Sequence, residues 1–552
     1  MREKIILLLV IVAVVAVPLV LRQRGEIPPA HPDDVLVIIT PDNEYIRDEF
    51  ARAFRDYWRQ KTGRTVAFDW RIPGGTSDIT RLVNSQFANA FRNLWVNDLR
   101  QPWSEAVARG FTDAKLDAAA PNAAVASAAA ARQAFLAGNI GIGLDIMFGG
   151  GPLDFAAQAA RGQLVPSGVE QRHPEWFTDA VMPQEFSGQT LRDPQGRWQG
   201  AALSTFGLVF NRDRLRAAAF PGAPTAWSDL ADPRFRGAVG LADPTQSASN
   251  AAAFEMMIQQ QMQLRRAALR AQNVPAAEAE KRAVAEGWQA GMELAQLAAA
   301  NSAYFTAAAP KPILDVAAGD CALGMAIDFY GRTEEETLAL RNPDDPARAN
   351  RFGFVMPRGG SSLSADPIAL FRGAPHPEVA RAFIDFVLSL DGQKLWDFRP
   401  GTPGGPKRWA LRRSPIRRDL YAAPWLADMA DPGVLPYEDA GDFVYHAAWT
   451  APYFSELRFV IQAAFMDPHP ELAEAWAAIL RARRDGRAPD AAAALAKLQD
   501  LSAINYAAVT GSIQESLAAG PLTRLELEAR LSGFFARQYR AAETLAEGGG
   551  AG

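Results

Sequence analysis

Asp145–Gly151, DIMFGGG, is an apolar run that ends abruptly at three consecutive glycines. The same punctuation recurs at three other points. VLVIIT (Val35–Thr40) breaks at Pro41-Asp42-Asn43-Glu44, and TVAFDWRI (Thr65–Ile72) breaks at Pro73-Gly74-Gly75-Thr76-Ser77-Asp78. GAVGLAD (Gly237–Asp243) breaks at Pro244-Thr245-Gln246-Ser247-Ala248-Ser249. Each junction reads as a strand running into a helix: β-branched and aromatic residues favour the strand, and a polar or glycine residue opens the helix. The first turn of a helix leaves backbone N–H groups without partners. Gathered at the carboxyl edge of an open α/β sheet, such groups are where a ligand is held.

Helical spacing follows the first two strands, with Ile46, Phe50, Phe54 and Tyr57 after one and Ile79, Leu82, Val83 and Phe87 after the other. Ile140–Phe148 reads as a third strand, and the Ala-rich Ala114–Ala137 as a helix or a loose insertion. Ala201–Asn211, AALSTFGLVFN, is a long apolar strand suited to crossing between two lobes; Cys321–Tyr330, CALGMAIDFY, is the candidate for the return. Glu255–Glu286 reads as long solvated helices, and the chain after about Asp442 as all helical. The alternation predicts an α/β fold. Its expected division is an anchor and spacer at 1–30, a first α/β lobe at 31–200, a second at 201–330, a return to the first at 331–441, and a helical extension at 442–545.

Met1-Arg2-Glu3-Lys4 precedes the 17 apolar residues Ile5–Leu21. That arrangement predicts export, with the segment either kept as a membrane anchor or removed as a signal. A net charge of −5 gives no electrostatic support to nucleic-acid binding. The single cysteine, Cys321, excludes an intramolecular disulfide. Catalytic signatures are missing as well. There is no phosphate-binding GxxxxGK[ST] loop and no GxSxG elbow, and the five histidines are too scattered for an HExxH zinc site.

What remains is a set of polar junctions. At Asp42, Asn43 and Glu44, ligand contact competes with simple N-capping. Gly75, Thr76 and Ser77 combine close backbone approach with two hydroxyls, while Thr245, Ser247 and Ser249 place three hydroxyls around one helix start, more than capping needs. Gly149, Gly150 and Gly151 face a ligand or make a tight turn. Ser204 and Thr205 on the crossing strand, and Asp328 and Tyr330 at the end of CALGMAIDFY, complete the candidate ligand-binding set. The basic pairs Arg412-Arg413 and Arg417-Arg418 read as solvated surface.

Four further stretches carry a family resemblance: WSDLADPRFRG (Trp227–Gly237), FGGGPLDFAAQAARGQLVP (Phe148–Pro166), GDCALGMAIDFYGR (Gly319–Arg332) and SADPIALFRGAPHPEVARAFIDFVLSLDGQKLW (Ser364–Trp396). In this order they resemble the periplasmic ferric-iron-binding class of ABC-transporter solute-binding proteins. The resemblance implies a two-lobed clamp with crossing hinge strands that closes on a small ligand. A membrane permease and its ATPase would be the partners, on the periplasmic or extracellular face. For Fe³⁺ as cargo, with or without a synergistic anion, it implies Asp42 and Tyr330 as metal ligands together with Glu44 or the bound anion. Asp42 stands where members carry His, and Phe329-Tyr330 where they carry two tyrosines. The same class includes binders of oxyanions and organic phosphates. For those, Thr76, Ser77, Thr245 and Ser247 would donate hydrogen bonds to the anion. No catalytic cofactor follows from either reading. The alternatives are a ligand-sensing ectodomain of the same fold and an exported enzyme.

Overall fold

Strand β1 (Asp34–Ile39) shows how the first sheet is built. Leu36 and Ile38 are buried in the same core as Ile46, Phe50 and Phe54 of helix α1 (Glu44–Thr62). Val37 and Ile39 point the other way, into a core with Ile79, Val83 and Phe87 of helix α2 (Thr76–Asn93). A strand covered on both faces has no solvent side, so it reads as an unbroken apolar run. The computed structural model describes residues 31–116 and 123–549. The segment Ile5–Leu21 lies outside the described residues; among those described, no helix is long and apolar enough to cross a membrane.

In chain order the remaining strands are β2 (Val66–Arg71), β3 (Ile146–Phe148), β4 (Leu164–Val165), the hairpin β5 (Glu185–Phe186) and β6 (Gln189–Thr190), β7 (Gln199–Ser204), β8 (Phe206–Asn211), β9 (Val239–Ala242), β10 (Ser302–Thr306), β11 (Leu323–Ile327), β12 (Phe352–Val355), β13 (Ser364–Phe371) and β14 (Ser414–Pro415). The first sheet runs β14-β7-β13-β3-β1-β2, with β4 also on β13. Within it β1 is parallel to β2 and β3, while β13 lies antiparallel between β3 and β7. The second sheet runs β10-β9-β11-β8-β12. There β9, β10 and β11 are parallel, and β8 is antiparallel to β11 and β12.

The chain passes between the sheets twice. The outward crossing is the single residue Thr205 between β7 and β8, within Ala201–Asn211. The return is not Cys321–Tyr330: β11 stays in the second sheet and runs into helix α6 (Asp328–Arg341). Strand β12 still pairs with β8, and only after residues 356–363 does β13 rejoin the first sheet. An apolar strand preceding a polar junction has the same local pattern whether it crosses or stays, which is why the sequence misplaced this passage.

Three more helices place the site: α3 (Pro152–Arg161), α4 (Ala248–Ala271) and α5 (Ala276–Ala300). The reading of the Glu255–Glu286 region as solvated helices is corrected in part. Phe254, Met257, Ile258, Met262, Trp288 and Met292 are all buried in the core of the second sheet. A methyl group at Gly287 would lie 2.3 Å from the Met262 Cα, so the two helix backbones touch there. After residue 447 every described element is helical, including α8 (Phe454–Ile461), α9 (His469–Arg484), α10 (Ala488–Leu498) and α11 (Pro521–Ala546); the earlier helix α7 is Pro377–Leu388. These C-terminal helices share one core with the second sheet, where Leu457, Phe459, Trp476, Phe535 and Tyr539 meet Leu241, Phe254 and Met292.

Candidate functional site between the two sheets

Strands β1, β2 and β3 of the first sheet and β9, β10 and β11 of the second all end at one cavity of about 410 Å³. Its wall takes Asp42 from the β1 exit, Gly75 and Thr76 from the start of α2, and Gly150 and Gly151 before α3. From the second sheet come Ser247, Ala248 and Ser249 at the start of α4, and Phe329 and Tyr330 in the first turn of α6. Four helix N-termini from two sheets thus converge on one space. Each brings the positive end of a macrodipole to the wall, although in α6 the first two N–H groups are already bonded, Asp328 to the Thr205 carbonyl and Phe329 to the Asp328 carboxylate.

The first-sheet wall is organised by Arg413, which is 2% exposed. Its guanidinium donates to Asp42 Oδ1 at 3.3 Å and to Ser204 Oγ at 3.0 Å, and forms an ion pair with Asp366. It stacks 4.3 Å from the centre of the Phe329 ring on the opposite sheet. Ser204 Oγ donates to Asp366 Oδ2 at 2.8 Å. Burial pushes the Asp42 carboxyl up to about 7 against the pull of Arg413, and pushes Asp366 upward in the same way. Asp42 Oδ2 is buried and has no hydrogen-bond partner among the described residues. Burial also pushes the Tyr330 phenol up to about 12, so it is a neutral donor at physiological pH.

The sequence-predicted residues divide into those that reach the cavity and those that support it. Asp42, Gly75, Thr76, Gly150, Gly151, Ser204, Ser247 and Tyr330 line it. Asn43 does not; its side chain caps α1 by accepting from Ile46 N–H at 3.1 Å. Thr245 Oγ1 donates to Asp243 at 2.7 Å, and Ser77 Oγ accepts from Arg458 at 2.5 Å. Thr205 is buried at the crossing, where its carbonyl accepts from Asp328 N–H at 3.0 Å. Asp328 pairs with Arg332 at 3.1 Å and accepts from Phe329 N–H. Glu44 is exposed in the first turn of α1 and outside the cavity wall, so the structure does not bring Asp42, Glu44 and Tyr330 together as a metal set. Among the described residues no group of three or more His, Cys, Asp or Glu is placed to hold a metal ion.

Gly149 stands behind the wall. Its φ is +81°, and a methyl group there would lie 2.5 Å from Asp42 Oδ2. Gly149→Ala combines left-handed backbone strain with displacement of a buried carboxyl. It is expected to cost about 1–3 kcal/mol of stability, read by urea denaturation.

Sequence reasoning missed Arg413, Asp366, Phe329, Glu255 and Tyr445, which also line the cavity. The reading of Arg412-Arg413 and Arg417-Arg418 as solvated surface is corrected, since Arg413 and Arg417 are buried. Glu255, in α4, accepts from Tyr445 OH at 2.8 Å and Thr450 Oγ1 at 2.6 Å, with its carboxyl pushed by burial up to about 7. The neutral form is therefore favoured by folding. Its contribution to stability is full below about pH 4.5 and is lost as pH rises through 7. Between about pH 5 and pH 8, Glu255→Gln should gain about 2–4 kcal/mol relative to the parent chain, measured by denaturant titration at both pH values.

Parts of the chain are similar to known proteins. The phosphoglycerate transport regulatory protein PgtC of Salmonella typhimurium is 25% identical over 194 residues, 35% of this chain and 39% of that protein. The match thus spans well under half of that relative's length. The periplasmic binding protein AfuA of Actinobacillus pleuropneumoniae, solved with fructose-6-phosphate, aligns with a TM-score of 0.48 at 15% identity, covering 78% of this chain and 99% of that one. The ferric binding protein of Campylobacter jejuni aligns with a TM-score of 0.43 at 14% identity, covering 77% and 98%. Residues 154–408, which hold Ser204, Ser247, Tyr330 and Asp366 of the cavity wall, match the family of bacterial extracellular solute-binding proteins, the class this chain resembles.

Proposed function

We propose that this protein is the extracellular solute-binding component of an ABC importer and that its cargo is a small hydroxylated organic anion, such as a sugar phosphate or a glycerate phosphate. The observation that carries the reading is the convergence of four helix N-termini, from both sheets, on a cavity of about 410 Å³. N–H groups and macrodipoles at those termini favour negative charge. A space of that volume suits an organic molecule rather than a bare ion. The hydroxyls of Thr76, Ser247 and Ser249 add donors, and the carboxyls of Asp42 and Asp366 are acceptors for hydroxyl groups on the solute. The name of the Salmonella relative, a protein of phosphoglycerate transport, agrees with this class.

Docking of the loaded protein on a permease and its ATPase would follow from the family, at the periplasmic or extracellular face of the membrane. Fe³⁺ is the second reading, favoured by one observation: Asp42 and Tyr330 share the cavity wall. A thermal-shift screen separates the two. Organic phosphates without metal are expected to raise the melting temperature, since a ligand at about a hundred times its dissociation constant stabilises by about 2.7 kcal/mol. A shift only when Fe³⁺ is present would replace the anion reading by the ferric one.

A further inference from the structure

The C-terminal helical region does more than enlarge the core of the second sheet. Residues 443–450 run along α4, joined to it through a series of side-chain bonds. Tyr445 OH and Thr450 Oγ1 both donate to Glu255 Oε1. Gln259 Nε2 donates to Thr450 Oγ1 at 2.7 Å and to the His446 carbonyl at 3.1 Å, and His446 N–H donates back to Gln259 Oε1 at 2.9 Å. Tyr445 itself is tied to the first-sheet side, where its N–H donates to the Ser187 carbonyl at 2.8 Å. Tyr445, Phe454 and Glu255 all line the cavity. A fully buried carboxyl facing a cavity, with two donors fixed on one of its oxygens, is costly unless the other oxygen also finds a donor.

We propose that the C-terminal region completes the solute site: Tyr445 and Thr450 aim the Glu255 carboxyl into the cavity, where Oε2 accepts a hydrogen bond from a hydroxyl or amino group of the solute. Tyr445 and Thr450 are then positioning residues, and Glu255 determines specificity. The inference rests on the anionic-solute reading and adds to it a second recognition pole, opposite in chemistry to the helix N-termini. An anion lacking a donor group would fill the first pole and leave Glu255 unsatisfied.

The test is calorimetric titration of the full chain at about pH 8, where the Glu255 carboxyl, pushed up to about 7, is ionised, with glycerol 1-phosphate, propyl phosphate and inorganic phosphate. The first two have three-carbon chains and differ in their hydroxyl groups. The parent protein should prefer glycerol 1-phosphate, and Glu255→Gln should reduce that preference about tenfold, the worth of a hydrogen bond to an ionised group. Tyr445→Phe should reduce it about threefold, through loss of aim alone. An undiminished preference in a folded Glu255→Gln variant overturns the assignment of Glu255 while leaving the anion reading intact. If that variant fails to fold, the Tyr445→Phe result decides in the same way. If no phosphate probe binds the parent chain, the anion reading fails and this inference falls with it.

Discussion

Arg413→Met is expected to lower folding stability by about 3–5 kcal/mol and to abolish solute binding. The methionine keeps much of the buried volume, so the loss is electrostatic. In the native chain one guanidinium serves two carboxylates that share a wall, Asp42 and Asp366, both already pushed upward by burial. Without it, at least one carboxyl must be protonated or solvated, and the wall rearranges. The same change removes the donor to Ser204 Oγ and the cation stacked on Phe329, a contact that spans the two sheets. Combining Arg413→Met with Asp366→Asn removes one of the stranded charges, so it should recover part of the stability without recovering binding. Denaturant titration reads the first effect and calorimetry the second. A single variant as stable as the parent chain would mean that the two carboxylates do not depend on Arg413.

The second large effect is expected at Arg458, and there on affinity more than on stability. Arg458 lies in α8, whose Leu457, Phe459, Val460 and Ile461 are buried with the second sheet. Its side chain donates to the Pro244 and Thr245 carbonyls at 2.6 Å each, on the loop before α4, and reaches across to Ser77 Oγ in α2. The two halves of the cavity are therefore pinned by a side chain that comes from neither sheet. Opening the cleft breaks the Ser77 bond, and a charge-assisted bond is worth about 1.5–3 kcal/mol. Arg458→Met should weaken solute binding about 10- to 100-fold, mostly through faster dissociation. Gly75 offers an independent check. A methyl group there would lie 2.9 Å from the Gln246 carbonyl on the opposite side of the cleft, while its φ of −72° adds no backbone strain. Gly75→Val should accordingly hold the cleft ajar and weaken binding with little loss of stability. Unchanged dissociation rates in both variants would remove the clasp from the account.

The part of the site legible in the sequence is the part encoded locally. Gly75-Thr76, Gly150-Gly151, Ser247 and Tyr330 each follow a strand within a few residues, and a strand-to-helix junction at a sheet's carboxyl edge faces the ligand side whatever the rest of the chain does. Ser77 and Thr245 sit at the same junctions yet are used structurally. Whether a hydroxyl faces a ligand or a neighbour depends on partners such as Arg458, which is 381 positions from Ser77. Arg413 was illegible for the same reason. An arginine pair in a loop has the composition of a solvated surface, and only Asp42, 371 positions away, together with Asp366, makes one member of that pair a buried ion. The sheet alternation and the outward crossing were readable from apolar runs, whereas the return crossing depends on strand pairing, which no local pattern specifies.

The most direct measurement is a calorimetric titration of the purified chain with 3-phosphoglycerate and, separately, with ferric citrate, each repeated on Thr76→Val. The account predicts saturable binding of the organic phosphate without metal, weakened by about 1–3 kcal/mol when the Thr76 hydroxyl is removed from the start of α2. Binding of ferric citrate alone, indifferent to Thr76, would contradict it.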